Sequence, residues 1–80
     1  MKHYTPKGVC SRNITFDIVD GVVTGVAFEG GCSGNLQGIG KLVEGMPVAE
    51  VVSRLKGIRC GFKSTSCPDQ LARALENEHE

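Results

Sequence analysis

The sequence contains no tryptophan, and its only aromatic residues are Tyr4, Phe16, Phe28 and Phe62, so few large side chains are available to fill a core. Its 80 residues suffice for one small domain, residues 1–80. A domain of this size buries only about 60–65% of its unfolded surface. Such domains often depend on a metal, disulfides or a partner subunit, and we expect one of these here.

An excess of charge of either sign is also missing, because nine basic and nine acidic residues give a formal net charge of zero. A nucleic-acid-binding domain needs a basic surface to neutralise phosphates, so this balance argues against a nucleic-acid partner. It argues equally against binding to a membrane surface. No apolar run approaches the ~20 residues that span a bilayer, and residues 1–6 lack the apolar core of a signal peptide. We therefore expect a cytoplasmic protein.

The first half of the chain is typical of a β-hairpin over residues 12–29. Apolar and polar residues alternate here with the period of a half-buried strand. A two-residue turn at Asp20-Gly21 would leave a smaller apolar face, so we prefer a three-residue loop over 19–21. The preferred face is formed by Ile14, Phe16, Ile18, Val22, Val26 and Phe28. Residues 3–5 are a candidate third strand.

The second half predicts three helices, over residues 35–45, 47–56 and 68–78, from apolar residues at helical spacing. The fold class is therefore α+β: a small antiparallel sheet followed by three helices packed on one face. Ser33 or Asn35 is the expected cap of the first helix.

Glycine and proline mark the ends of these helices. Gly45 and Gly57 are the expected stops of the first and second helices, and Pro47 suits the first position of the second. Gly38 and Gly40 lie inside the first helix, where we expect close approach to a neighbouring element. Pro68 at the first position of the third helix would make Cys67 its cap.

The four cysteines are the strongest functional signal in the sequence. Cys10, Cys32, Cys60 and Cys67 are separated by 21, 27 and 6 residues, so no Cys-x-x-Cys pair is present. Each one lies at the boundary of a predicted element, where side chains from different elements can converge. Because structural disulfides are disfavoured in a reducing compartment, we predict that all four bind one zinc ion or iron–sulfur cluster.

The residues around the cysteines favour thiolate ligands. Gly31, Ser33 and Gly34 surround Cys32 and can donate backbone N–H groups to sulfur, as in many zinc and iron–sulfur sites. Arg59 and Lys63 flank Cys60 and can offset the negative charge of a tetrathiolate centre. A position at the start of a helix also favours the thiolate form of a cysteine.

Two other interpretations of the cysteines stay open. Cys60 and Cys67 could form a redox pair that exchanges electrons with a partner protein. All four could instead be reduced and buried in a structural or oligomer-forming domain. The exposed edge of a small sheet makes a homodimer plausible. Asp69 could replace one cysteine as a ligand, but an acidic residue at a helix start is more often a partner of the helix dipole.

Three segments carry a resemblance to a known family: Thr-Ser-Cys-Pro-Asp at 65–69, Gly-Gly-Cys-Ser-Gly-Asn at 30–35, and Gly-Ile-Arg-Cys-Gly at 57–61. With these, the chain resembles the TSCPD-domain family, in its short four-cysteine branch, over about residues 4–76. That domain also occurs attached to cobalamin-dependent ribonucleotide reductases, which make deoxyribonucleotides. The resemblance therefore implies a ribonucleotide reductase as partner. An accessory role is expected, because a catalytic (β/α) barrel alone takes about 250 residues.

The order of cysteines and elements is also similar to that of iron–sulfur scaffold proteins of the IscU/NifU type. Their three cluster ligands would match Cys10, Cys32 and Cys60. Arg12 stands where an acidic residue is expected in those proteins, and Cys67 is additional. The resemblance thus implies a shared architecture, while a fourth thiolate would close the site, as in structural metal centres.

Overall fold

The fold is α+β, as predicted, in a computed structural model that describes residues 2–9, 11–31 and 33–78. Strands β1 (Lys2–Tyr4), β2 (Ser11–Val19) and β3 (Val22–Gly30) form an antiparallel sheet in the order β1-β2-β3. Three helices follow: α1 (Ser33–Val43), α2 (Val48–Leu55) and α3 (Cys67–Asn77). Within the described ranges, no helix has the length and apolar character needed to cross a membrane.

The hairpin turn has two residues, so the preferred three-residue loop is wrong. Val19 pairs with Val22, which leaves Asp20 and Gly21 as the turn. Both turn residues have positive φ, 52° and 78°. Positive φ at both positions is the mark of a type I′ turn, whose twist matches that of the flanking strands, and Asp-Gly adopts it readily.

A bulge in β3 explains why most of the expected apolar face is nevertheless correct. Thr15 pairs with Ala27 but Asp17 pairs with Thr24, so Phe16 alone faces the two residues at positions 25 and 26. Gly25 takes a φ of 63°, which suits a bulge of this kind. Beyond the bulge the strand changes phase, so Val26 and Phe28 pack against the core as expected. Before it, Val23 is buried in place of the predicted Val22.

All three helices contribute to a core on one face of the sheet. The buried cluster combines strand residues with residues of each helix: Ile14, Phe16, Val23, Val43, Val51, Leu71, Ala74 and Leu75. The largest wholly buried side chain is Phe16, at the centre of β2. The core therefore depends on the middle strand and on the apolar stripe of each helix.

The helix ends differ from the predictions by one or two residues. Helix α1 begins at Ser33, so Asn35 lies inside its first turn and is not the cap. Gly45, with φ of 79°, ends that helix as expected. Pro47 is the residue before α2 rather than its first residue, and Gly57, with φ of 92°, follows its end. These shifts are of the size at which helix boundaries usually vary.

One edge of the sheet is partly covered by the chain itself. The Val23 N–H donates to the Met46 carbonyl at 2.8 Å, and the Gly45 N–H donates to the Val23 carbonyl at 2.7 Å. The segment between α1 and α2 thus runs along β3 next to the turn. The expected homodimer stays a prediction.

Only one of the two glycines inside α1 lies close to a neighbouring backbone. A Cβ at Gly40 would come within 2.9 Å of the Val26 carbonyl oxygen. A Cβ at Gly38 would have no described atom within 4 Å, so the expected close approach is wrong at that position. Gly40 is thus the residue that lets α1 pack directly on β3.

The two glycines provide a matched pair of substitutions. Gly40→Ala should lower the free energy of unfolding by about 1–3 kcal/mol, because the backbone of β3 must move away. Gly38→Ala should raise it by about 0.5–1 kcal/mol, because alanine favours an exposed helix position. Urea unfolding of both variants measures this difference. Equal changes in the two variants would contradict the proposed packing.

Candidate functional site

The structure describes two of the four predicted ligands. Cys60 is exposed and lies in the loop between α2 and α3, whereas Cys67 is the first residue of α3 and is partly buried. Both are free thiols. Cys10 and Cys32 lie outside the described residues.

Cys60 and Cys67 line the same cavity, which has a volume of about 500 Å³. We call it the cysteine cavity. Its remaining described lining is mainly apolar: Val9, Asn35, Leu36, Ile39, Lys63, Ser66 and Pro68. These residues come from four separate parts of the chain: the segment before β2, helix α1, the loop that follows α2, and the start of α3. The sequence neighbours of all four predicted ligands therefore meet at one place: Val9 precedes Cys10, and Asn35 follows Cys32 by three positions.

The start of α3 is capped by Ser66, so the predicted cap at Cys67 is wrong by one residue. The Ser66 hydroxyl oxygen accepts a hydrogen bond from the Asp69 N–H at 3.1 Å. A hydroxyl is a stronger acceptor than a thiol, which explains the choice of cap. Cys67 is consequently the first helical residue and Pro68 the second, a place where the missing N–H of proline costs nothing.

Cys67 also contacts the strand that follows Cys10. The Ser11 hydroxyl oxygen lies 3.1 Å from Cys67 Sγ, and Ser11 is almost fully buried. This contact joins the first residue of β2 to the first residue of α3. Ser11, the residue after Cys10, therefore lies within hydrogen-bonding distance of Cys67, another predicted ligand.

Two backbone hydrogen bonds bring Cys60 back towards α3. The Lys63 N–H donates to the Cys60 carbonyl at 3.0 Å, and the Cys60 N–H donates to the Thr65 carbonyl at 3.1 Å. The first closes a tight turn, and the second holds that turn beside the residue two positions before Cys67. The loop between the two cysteines thus folds back, and the backbone of Cys60 lies next to that of Thr65.

Of the residues expected to surround the ligands, some line the cysteine cavity and others do not. Lys63 lines the cavity, while Arg59 is exposed and is not among its described lining residues. Gly31 is exposed with φ of 73°, and Gly34 lies exposed in the first turn of α1. Ser33 is the first residue of that helix. Of the two predicted cations, Lys63 alone is positioned to influence the cavity directly.

Asp69, the other candidate ligand considered on α3, accepts hydrogen bonds from the protein at both carboxylate oxygens. It is completely buried, and its carboxylate accepts hydrogen bonds from the Gly57 N–H at 2.7 Å, the Arg73 Nε–H at 2.9 Å and the Thr65 hydroxyl. Burial by itself raises the pKa of Asp69, but these donors outweigh it and lower the pKa from 3.8 to about 2. The carboxylate is therefore ionised and fully used within the protein.

Gln70 extends this polar network to the N-terminal segment. Its Nε2 donates to the Thr65 hydroxyl at 2.9 Å, and its Oε1 accepts from the Tyr4 hydroxyl and the Lys7 N–H, each at 3.2 Å. Gln70 is buried. The network thus links the chain before Cys10 to the loop that carries Cys60.

This network could not be predicted from the sequence. The Ser66-x-x-Asp69 spacing resembles a capping box, which could have placed the helix start at Cys67. No sequence signal indicates that Gly57 donates to Asp69, or that Ser11 meets Cys67, because both contacts join residues from different elements.

In the part of the chain that the structure describes, no three His, Cys, Asp or Glu side chains are grouped as for a metal ion. Two of the four predicted ligands lie outside that part. The four-cysteine site therefore stays a prediction.

The family model for the TSCPD domain matches residues 2–79, almost the whole chain. No curated protein and no solved structure matches the chain significantly. The architecture expected from the IscU/NifU resemblance therefore stays a prediction beyond the α+β arrangement itself.

The lowered pKa of Asp69 predicts a defined loss of stability in acid. Because the folded pKa, about 2, lies below the value of 3.8 for the free side chain, the stabilisation is present at neutral pH and is lost as pH falls from 4 towards 2. We expect a loss of about 1–2 kcal/mol, since Arg73 is half exposed and partly screened. Urea unfolding of metal-free protein at a series of pH values measures it.

Asp69→Asn should lack this part of the pH dependence and be less stable at neutral pH. Glu50→Gln, which removes the exposed Glu50–Arg54 pair at 2.8 Å, is the control and should retain it. Identical pH profiles for the wild type and Asp69→Asn would show that the carboxylate does not carry the effect.

Proposed function

The chain belongs to the TSCPD domain family, and from this membership and the cysteine cavity we propose that it is a metal-binding accessory domain of a ribonucleotide reductase system. The proposed ligands are Cys10, Cys32, Cys60 and Cys67, and the proposed metal is zinc or an iron–sulfur cluster. Thiolates are the ligands that both centres prefer.

The observation that carries the proposal is the shared cavity. Cys60 and Cys67 come from a loop and a helix, yet they line one space of about 500 Å³. Val9, next to Cys10, and Asn35, close to Cys32, line the same space. The two described ligands and the described neighbours of the other two thus line one space.

The surroundings suit a thiolate centre. Four thiolates on Zn²⁺ carry a net charge of −2, and the Lys63 side chain at the cavity supplies a nearby positive charge. The Ser11 hydroxyl, 3.1 Å from Cys67 Sγ, can donate a hydrogen bond to a metal-bound sulfur. When bound, zinc would supply a cross-link between the four segments, and a cluster would in addition supply one-electron transfer.

The proposed partner follows from the family rather than from the cavity. TSCPD domains occur attached to cobalamin-dependent ribonucleotide reductases, so a reductase of that kind is the proposed partner. We propose an accessory role in the cytoplasm, where thiols stay reduced and available to a metal.

A second function is favoured by the unequal exposure of the two described thiols. Cys60 is exposed, whereas Cys67, which lines the same cavity, is partly buried. Such a pair could reduce a disulfide of the partner: the Cys60 thiolate attacks one sulfur, and Cys67 then displaces the partner. Two electrons and two protons pass to the partner, and a Cys60–Cys67 disulfide forms.

The metal proposal predicts the composition of protein purified without oxygen. We expect one zinc per chain and no colour, or iron with inorganic sulfide and strong visible absorption. Cys60→Ser and Cys67→Ser should each lower metal content and affinity by at least about 10-fold, because each removes one of four ligands. Elemental analysis and competition with a chelator measure both quantities.

Ser64→Ala, in the same loop but outside the described lining of the cavity, is the matched control and should bind metal normally. Protein without metal, with four thiols that titrate equally with and without chelator, would contradict the metal proposal. Reversible formation of a Cys60–Cys67 disulfide in such protein would favour the redox pair instead.

A further inference from the structure

We propose that Asp69 is a positioning residue that fixes Cys60 relative to Cys67 by holding both ends of the loop between them. The loop in question, the cysteine loop, comprises residues 57–66. This inference rests on the proposed function, since it concerns how two of the proposed ligands are held in register.

The carboxylate of Asp69 binds the cysteine loop at both ends. One oxygen accepts from the N–H of Gly57, the first residue of the loop, at 2.7 Å. The other accepts from the hydroxyl of Thr65, the last residue but one. Cys60 lies between these points, and Cys67 lies two positions before Asp69 on α3. A single buried side chain thus connects the loop that carries one thiol to the helix that carries the other.

Polar contacts at its two ends, rather than apolar burial, hold the cysteine loop in place. Residues 57–64 are all exposed, so they contribute little apolar surface to the core. The Cys60–Lys63 and Cys60–Thr65 backbone bonds are internal to the loop and do not attach it to α3. Other bonds act at one end only: the Ile58 N–H donates to the Leu55 carbonyl at 3.3 Å, and Gln70 Nε2 donates to the Thr65 hydroxyl at 2.9 Å. Asp69 bonds to both ends, so the position of Cys60 relative to α3 depends on it.

Only a carboxylate satisfies this position. The groups that face Asp69 from Gly57, Thr65 and Arg73 all donate hydrogen bonds. A carboxylate accepts at both oxygens, whereas an asparagine amide has one accepting oxygen and one donating nitrogen. Asparagine has nearly the same size, but its side-chain NH₂ group would face at least one of these three donors.

The experiment measures the loop and the metal site separately. Hydrogen exchange of the Gly57 and Cys60 amides reports the anchoring of the loop in metal-free protein, with the Ile14 amide in the central strand as reference for global unfolding. Titration with Co²⁺, followed by the sulfur-to-cobalt absorption, reports how the thiols are arranged.

In Asp69→Asn, we expect the Gly57 and Cys60 amides to exchange at least about 10-fold faster relative to Ile14, and Co²⁺ to bind about 10–100-fold more weakly with an altered spectrum. Thr65→Val removes the anchor at one end alone and should give a smaller change in both. Arg73→Gln is the matched control: it removes the ion pair of the same carboxylate but leaves both loop bonds in place. It should change neither the relative exchange nor the spectrum.

The outcomes separate this inference from the proposed function. Unchanged relative exchange in Asp69→Asn, or equal effects in Asp69→Asn and Arg73→Gln, would overturn the positioning role even if the wild type binds Co²⁺. Faster loop exchange in Asp69→Asn, together with a wild type that binds no Co²⁺ and contains no iron–sulfur cluster when purified without oxygen, would support the anchoring of the loop and overturn the proposed metal site.

Discussion

A buried carboxylate is the constraint on which the arrangement of this domain depends. An ionised group without solvent must be satisfied by donors, and Asp69 recruits them from three places: the end of α2, the loop before α3, and α3 itself. The charge is therefore tolerated only when these segments lie together. The core of this domain is modest, and the cysteine loop buries little apolar surface. Hydrogen bonds to the buried carboxylate therefore hold this loop where apolar burial could not.

Packing between the sheet and helix α1 positions the other side of the cysteine cavity. The bulge at Gly25 returns Val26 and Phe28 to the core, and Gly40 lets α1 lie directly against Val26. The first turns of α1 can then line the cavity together with the start of α3. A shift in either contact would move the chain next to Cys32 away from the chain next to Cys67. The site is thus positioned by backbone packing on one side and by a polar network on the other.

Patterns within single elements made most of the fold predictable. Alternation in β2, helical spacing in the three helices, and the stops at Gly45 and Gly57 depend on neighbouring residues, and the structure follows them. The length of the hairpin loop was predicted wrongly. A three-residue loop was chosen because it gave the larger apolar face, but a two-residue turn followed by a bulge in β3 brings most of the same residues to that face. Bulges require pairing information from two strands, which no single run of residues contains.

The sequence predicted the residue types of the candidate site but not the hydrogen bonds that hold them in position. Four cysteines at element boundaries indicated a common site, and Cys60 and Cys67 do share a cavity. The contact of Ser11 with Cys67, and that of Gly57 with Asp69, join residues 56 and 12 positions apart, beyond the reach of local patterns. The family resemblance marked residues 65–69 as important but assigned chemistry to Cys67 alone.

The structure gives every residue of that five-residue motif a physical role. Thr65 donates to the buried carboxylate and accepts from Gln70, while Ser66 caps the helix. Pro68 occupies a position that needs no N–H and lines the cavity, and Asp69 anchors the loop. Four of the five residues thus act on geometry, and Cys67 alone is a proposed ligand. A single thiol binds a metal weakly unless the other ligands are held at fixed distances from it. A motif in which four residues position one cysteine is therefore suited to a preorganised thiolate site.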